Sequence, residues 1–352
     1  MIGRVIQVAV FGESHGKGVG ATIEGIPDNI PIDMMKLRNH MKRRSPKGNL
    51  TTTRREEDNV IFLSGLKDGK TNGYPITIYI ENKDIIRKDY NLDLIRPSHA
   101  DYTAYEKYEN PDLSGGGYFS ARLMAAVAAI GFVAKEVLER IYNVEIYSHI
   151  SSVYDIVDKS FFDCDDIDKI RQIKEKEIEI IDDSKKISIN NIIVRARKEK
   201  ESLSSSVEVM ATGLKAGEGS LMFDAIDSTL SRYFFTIPAV KSVRFGKDTF
   251  KMKGSDYNDN YFIENNNIHT FTNNQGGITG GLANGNPIIA EIGFKPTPTI
   301  AKAQRSVNVV TRTNEIIETQ GRHDPCVGLR APVIAESMMA LGLLDIIRSE
   351  NN

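Results

Sequence analysis

The chain holds only two cysteines, Cys164 and Cys326, in 352 residues. Two thiols give neither a disulfide framework nor a cysteine-based metal site, so they read as reduced thiols and no metal is expected. Neither sign of charge is in excess: 45 Lys and Arg stand against 47 Asp and Glu, a formal net charge of −2. A general nucleic-acid or membrane-surface binder needs a basic excess, so neither partner is expected. Long hydrophobic runs are missing too. The apolar run at 5–11, interrupted by Gln7, is strand-length and has no cleavage signal, so it is not a signal peptide. The run at 331–347 is broken by Glu336 and Asp345, too polar for a membrane span. A cytoplasmic protein is expected. Three signatures are also absent. No G-x-S-x-G elbow marks a hydrolase. There is no G-x-G-x-x-G fingerprint for a dinucleotide and no G-x-x-x-x-G-K-[ST] loop for an ATP motor or kinase. What remains, 40% apolar and 26% charged residues, is a soluble globular composition.

Residues 96–126 concentrate the chemistry. Arg96, His99 and Asp101 precede the run Gly115-Gly116-Gly117, which leads into Ser120-Ala121-Arg122 and a small, apolar stretch. A glycine run lets backbone approach a ligand closely. The N–H groups of the following helix start favour an anion. Arg96 and Arg122 would add forked donors suited to phosphate or carboxylate, and His99 a group that titrates near neutrality. The stretch reads equally as an anion site with an acid/base group or as a glycine-rich loop capping a buried helix.

Elsewhere, residues 4–11, 60–64, 75–80, 145–153, 187–196, 206–214, 239–246 and 287–294 read as strands. Residues 33–41 predict a short helix with Asp33 as N-cap, and 123–141, 223–235 and 331–348 predict buried helices. The charged segment 155–186 includes a solvated amphipathic helix at 167–180 and no catalytic group. Residues 255–274 predict a long polar loop. In the turn 12–16, GESHG, His15 is a candidate acid, with a surface-loop histidine as the plain alternative. The basic clusters Lys42-Arg43-Arg44 and Arg54-Arg55 flank threonines and suit a mobile phosphate clamp. A second glycine-dense loop spans 275–285, and Lys295-Pro296-Thr297-Pro298-Thr299 is a proline-stiffened loop able to hold a phosphate. In Gly321-Arg322-His323-Asp324, the aspartate could be a base or an orienting carboxylate.

Taken in order, GESHG (12–16), TTTRREED (51–58), RPSHAD (96–101), GGGYFSAR (115–122), IPAVKSVRFG (237–246), NNQGGITGGLANG (273–285), KPTPT (295–299) and GRHDPCVGLR (321–330) resemble the chorismate synthase family. The likeness runs from near residue 1 to about 346 and leaves the charged 155–200 segment unmatched. It implies an α+β fold: one domain over 1–352, a β-α-β sandwich with long buried helices between antiparallel sheets, as a homotetramer. It also implies a carbon–oxygen lyase of the shikimate pathway that converts 5-enolpyruvylshikimate 3-phosphate to chorismate and phosphate by 1,4-elimination. Reduced FMN is required, without net redox change, and is supplied by NADPH or by a separate flavin reductase. By motif position, His15, His99 and Asp324 would be catalytic. Ser14, Arg55, Arg96, Ser120, Arg122 and Arg330 would bind substrate. Tyr118, Phe119, Ser120, Pro238, Ala239, Gly280, Lys295 to Thr299 and Arg322 would surround FMN. The family usually has glycine where this chain has Ser98, polar residues at Tyr118-Phe119, and arginine at Asn49. The alternative reading is a catalytically weakened relative that binds flavin or a phosphorylated ligand.

Overall fold

The computed structural model describes residues 1–51, 57–84, 93–111, 114–319 and 324–350. Two antiparallel sheets carry the fold. In spatial order the first holds Gln7–Gly12, Gly18–Glu24, Ile76–Glu81 and Ile61–Ser64. The second holds Val240–Phe245, Ile288–Phe294, Ser205–Thr212, Glu145–Val153 and Ile156–Val157. Period-two alternation turns one face of each inward. Ile76, Ile78 and Ile80 are fully buried, as are Val19, Ala21 and Ile23 on the neighbouring strand. In the second sheet Val207 lies opposite Ile150 on one side and Ile292 on the other, and all three are fully buried.

Eight α-helices occur among the described residues: α1 (Met34–Arg43), α2 (Asp101–Lys107), α3 (Met124–Val137), α4 (Ile167–Gln172), α5 (Lys186–Lys198), α6 (Ile226–Phe234), α7 (Gly254–Tyr257) and α8 (Pro332–Glu350). Helices apolar on every side must be buried, and α3 and α8 are. α3 packs on strands Gly18–Glu24 and Ile76–Glu81, α8 packs on Glu145–Val153 and Ser205–Thr212, and the two helices pack on each other. At their crossing, a Cβ added to Gly131 would lie 2.3 Å from Ser337 Cβ. Even alanine at 131 would push the helices apart, and overpacking of this kind costs about 1–3 kcal/mol. The expected β-α-β sandwich is therefore present. Its N-terminus is tied in by Asp345 of α8, whose carboxylate accepts from the backbone N–H groups of Arg4, Val5 and Ile6 at 2.8–3.0 Å.

Asp33 caps α1 as expected, accepting from Met35 N and Lys36 N. Four expectations are corrected. Residues 187–196 are helix α5, not strand. Ile189, Ile193 and Ala196 form its buried stripe at helical spacing, and burial overrides the β-preference of the isoleucines. The 167–180 stretch is not one solvated helix: α4 ends at Gln172, and Ile173, Ile178 and Ile180 are core residues. Residues 223–235 are amphipathic rather than wholly buried, with Phe223 89% exposed. The polar 255–274 region holds α7 and the hairpin Tyr261–Glu264/Asn267–Thr270. No helix among the described residues is long and apolar enough to cross a membrane.

Candidate active site

The site grows from three loops at the edge of the first sheet. Asn82 follows the strand Ile76–Glu81, and its amide donates to Glu13 O and Gly16 O at 2.9 Å each. That pins the turn carrying Ser14 and His15, which are 1% and 6% exposed, so His15 is no surface-loop histidine. Ser14 N donates to Gly117 O at 3.2 Å, joining the turn to the glycine run. The run does not enter α3 directly. It forms short 3₁₀ turns, Ser114–Phe119 and Ala121–Leu123, and Ser120 Oγ caps the second by accepting from Arg122 N. The turn Ala121–Leu123, just ahead of α3, thus delivers the Arg122 side chain inward.

Arg122 is buried and donates through Nε to Asn82 Oδ1 at 2.8 Å and through Nη2 to Glu81 O at 3.2 Å. Its Nη1 pairs with Asp58 Oδ1, while Asp58 Oδ2 takes Arg44 Nη1. One carboxylate therefore bridges two guanidinium groups. Burial alone would raise the Asp58 carboxyl, but Arg44 and Arg122 outweigh it and hold it below the usual range. Burial, with Arg330 and Arg122 nearby, brings Arg44 down to about 10 despite Asp58. Arg330 Nε donates to Arg44 O at 2.7 Å, and its Nη1 to Asp324 Oδ2 at 2.9 Å. Asp324 O accepts from Thr297 Oγ1 at 2.9 Å, and Thr297 O from Ser202 Oγ at 2.7 Å.

The circuit closes through the first part of the 96–126 stretch. Arg96 forks onto Asp101 with Nε and Nη2, both at 2.7 Å, and His99 Nδ1 lies 2.6 Å from the same carboxylate. Despite burial, the hydrogen bonds from His99 and Arg96 hold Asp101 far below the usual carboxylate range. With Nδ1 engaged, His99 turns Nε2 toward Gly116, where an added Cβ would lie 3.6 Å away. Ser98 takes a left-handed φ of +58°, the conformation a glycine would occupy without strain, and its carbonyl accepts Lys295 Nζ at 2.7 Å. Lys295 N in turn donates to Ala239 O at 2.9 Å.

His15 is the buried chain neighbour of Ser14, and Ser14, Arg96, His99, Ser120, Arg122, Lys295, Thr297, Asp324 and Arg330 thus belong to one ring of contacts. Ala239 joins it through Lys295, Pro238 is its chain neighbour, and Pro296, Pro298 and the buried Thr299 share the 295–299 loop. Tyr118 donates to Val10 O and is 58% exposed; Phe119 is 42% exposed. Gly280 stands apart: its hairpin is tied to Gly219 and Ile226, and no described contact joins it to the ring. Arg55 and Arg322 lie outside the described residues. The expectation of a mobile basic clamp is corrected at Arg43 and Arg44, which are fixed in the interior by ion pairs. Asp58 and Asn82 were not expected in the site. Asp58 sits in a motif noted for its arginines, and Asn82 has no local signal. Among the described residues the ring sets five basic side chains (Arg44, Arg96, Arg122, Lys295, Arg330) against three carboxylates (Asp58, Asp101, Asp324), an excess suited to a multiply charged anion. No cluster of metal-ligand type occurs among the described residues.

A chorismate synthase family model matches residues 6–347. Similar relatives include the chorismate synthase of Methanobrevibacter smithii, 41% identical over 99% of this chain and 96% of that protein. That of Methanocaldococcus jannaschii is 37% identical over 98% and 95%, and that of Francisella tularensis subsp. novicida is 38% identical over 97% and 96%. A crystal structure of chorismate synthase superposes with a TM-score of 0.77 at 26% identity, covering 99% of this chain and 93% of the other. The chain belongs to the chorismate synthase family.

Proposed function

We propose that this member of the family is a carbon–oxygen lyase of the shikimate pathway. It converts 5-enolpyruvylshikimate 3-phosphate to chorismate and phosphate by 1,4-elimination. The observation that carries the assignment is the ring's basic excess: the substrate bears one phosphate and two carboxylates, and buried guanidinium forks match both groups. Arg44, Arg122 and Arg330 bind those anions, with Arg55 and Arg96 as further basic partners and Ser14 and Ser120 as hydroxyl partners. His15, buried on the pinned turn, delivers the proton to the leaving phosphate. Asp324, oriented by Arg330, receives the proton lost from the ring carbon.

Reduced FMN is the cofactor of this reading. The residues beside His99 fit a flat phosphorylated group: Gly116 sets side-chain-free backbone beside its ring, Tyr118 and Phe119 present exposed rings, and the Lys295–Thr299 loop offers an ammonium and hydroxyls. Pro238, Ala239, Gly280 and Arg322 complete the proposed contacts. When bound, reduced FMN supplies transient electron density for C–O cleavage and regains it as hydrogen departs. The chain's part is to orient and exclude water, and to hold a proton on His99, whose Nδ1 is fixed by Asp101. The reductant is NADPH or a separate flavin reductase, and the protein is a cytoplasmic homotetramer.

The test is anaerobic: protein, dithionite-reduced FMN and 5-enolpyruvylshikimate 3-phosphate are mixed, and chorismate and phosphate are followed together. Equal release of both, lost with oxidised FMN, is expected. Absence of release would overturn the assignment.

A further inference from the structure

The charged segment 155–200, which the sequence leaves without a role, sends one carboxylate into the interior. Glu179 is 1% exposed. Its backbone carbonyl accepts from Ile150 N at 2.7 Å, and the next residues are held by Asp158, which accepts from Ile181 N and Asp182 N at 2.6 and 2.9 Å. So placed, Glu179 meets Arg43 at the end of α1, accepting from Nη2 at 2.7 Å and Nε at 3.3 Å. The adjacent edge of the same guanidinium, Nη1 and the shared Nη2, forks onto Glu336 of α8 at 2.9 and 2.6 Å. Glu336 is shared with Lys135 of α3 and with Ser148, and Lys47 lies 3.6 Å from Glu179. Two carboxylates therefore hold Arg43 on adjacent edges, one from α8 and one from the charged segment.

Arg44 is the next residue. It closes α1, with its N–H donating to Met41 O, and its own carbonyl accepts Arg330 Nε. A helix rotates about 100° per residue. With Arg43 fixed toward the interior, Arg44 is committed to Asp58 and Arg122. A shift of residue 44 would disturb two basic groups of the ring together, Arg44 directly and Arg330 through the Arg44 carbonyl.

We propose that Glu179 is a positioning residue for substrate binding: with Glu336 it clamps Arg43, and through Arg43 it sets where Arg44 and Arg330 present their charge. The proposal rests on the function assigned above. It gives the 155–200 segment a part in forming the site.

The test compares Glu179→Gln with Glu208→Gln. Glu208 is also buried, and pairs with His149 and Ser160 in contact with the same segment, but it has no contact with Arg43 or Arg44. Steady-state kinetics, thermal unfolding, and calorimetric binding of inorganic phosphate are measured on both full-length proteins. Glu179→Gln is expected to raise KM and the phosphate dissociation constant at least tenfold while kcat stays within threefold. Glu208→Gln is expected to lower thermal stability with both constants unchanged. Glu179→Asp keeps the charge but shortens the reach, and is expected to give an intermediate shift; it also serves should the glutamine variant fail to fold. Unchanged KM and phosphate affinity in Glu179→Gln or Glu179→Asp, or an equal rise in Glu208→Gln, would overturn the proposal. A wild type that binds phosphate but turns over no substrate would strike at the assigned reaction, while the clamp would still be judged on phosphate affinity.

Discussion

Asp58 is the internal counter-anion of two arginines, and replacing it with asparagine isolates that role. Its side chain is 3% exposed, and the paired Arg44 and Arg122 side chains are 7% and 6% exposed, so solvent screens little. Removing one partner of a buried ion pair costs about 3–5 kcal/mol, because the remaining charge stays desolvated. Here two guanidinium groups would face each other, and Arg44, already down to about 10, would be depressed further. In phosphate-free buffer, Asp58→Asn is therefore expected to lose about 3–5 kcal/mol of stability. An external anion should repair much of this. Bound phosphate at a hundred times its dissociation constant returns about 2.7 kcal/mol, and the variant should bind phosphate more tightly than the wild type. The assay is urea unfolding at rising phosphate concentration, with chloride at matched ionic strength as control. A steeper phosphate-dependent gain in the variant is expected. Unchanged stability without phosphate, or the same gain in both proteins, would refute the counter-anion reasoning.

Arg122→Lys keeps a cation but loses the fork that spans Asn82, Glu81 O and Asp58. The loss of a charge-assisted hydrogen bond, about 1.5–3 kcal/mol, predicts a fall in kcat/KM of about 10- to 150-fold, read by steady-state kinetics. Ala239 holds a left-handed φ of +72°, which costs a non-glycine residue about 1–2 kcal/mol. Ala239→Gly relieves this against about 0.5–1 kcal/mol of added chain entropy, so a small rise in the denaturant midpoint is expected. His149 lies between Asp158 and Glu208; burial lowers its pKa, but the two carboxylates outweigh that and raise it above 6.5. Its contribution is thus complete below 6.5 and is lost as pH rises through the folded value. The loss of stability on going above pH 6.5 should be shallower in His149→Gln than in the wild type.

The helical layer and most of the sheet strands were legible because burial leaves a pattern. Glu145–Val153 matches its expected bounds, and α3 and α8 are apolar on all sides. The 187–196 stretch misled because its isoleucines carry a strand preference, while the spacing of Ile189, Ile193 and Ala196 is helical. His15, His99, Arg122 and Asp324 could be singled out because each stands inside a compact motif. Their partners could not. The cluster Lys42-Arg43-Arg44 shows three cations, but only helix phase decides that Lys42 is exposed, Arg43 turns to Glu179 and Glu336, and Arg44 enters the site. Asn82 had no signal at all, since its work is to join residues 13, 16 and 122 across the fold.

The joins that build the ring are long-range. Arg44 and Arg330 are 286 residues apart, Lys295 and Ser98 are 197, and Asn82 and Glu13 are 69. Each join closes a loop whose entropic cost must be met by the rest of the fold. The sandwich meets it: Ala126, Ala129 and Ala340 are fully buried in the helical layer that holds the loops in place. Among its described residues the assembled ring is then left with more cations than carboxylates, an arrangement that self-repulsion disfavours where solvent screens little. A fold can hold such an imbalance when a ligand neutralises it, and the ligand that does so best carries several negative charges. The same surplus that opposes folding of the free protein therefore favours binding of a phosphorylated dicarboxylate, and the two effects should be read together when any of these arginines is replaced.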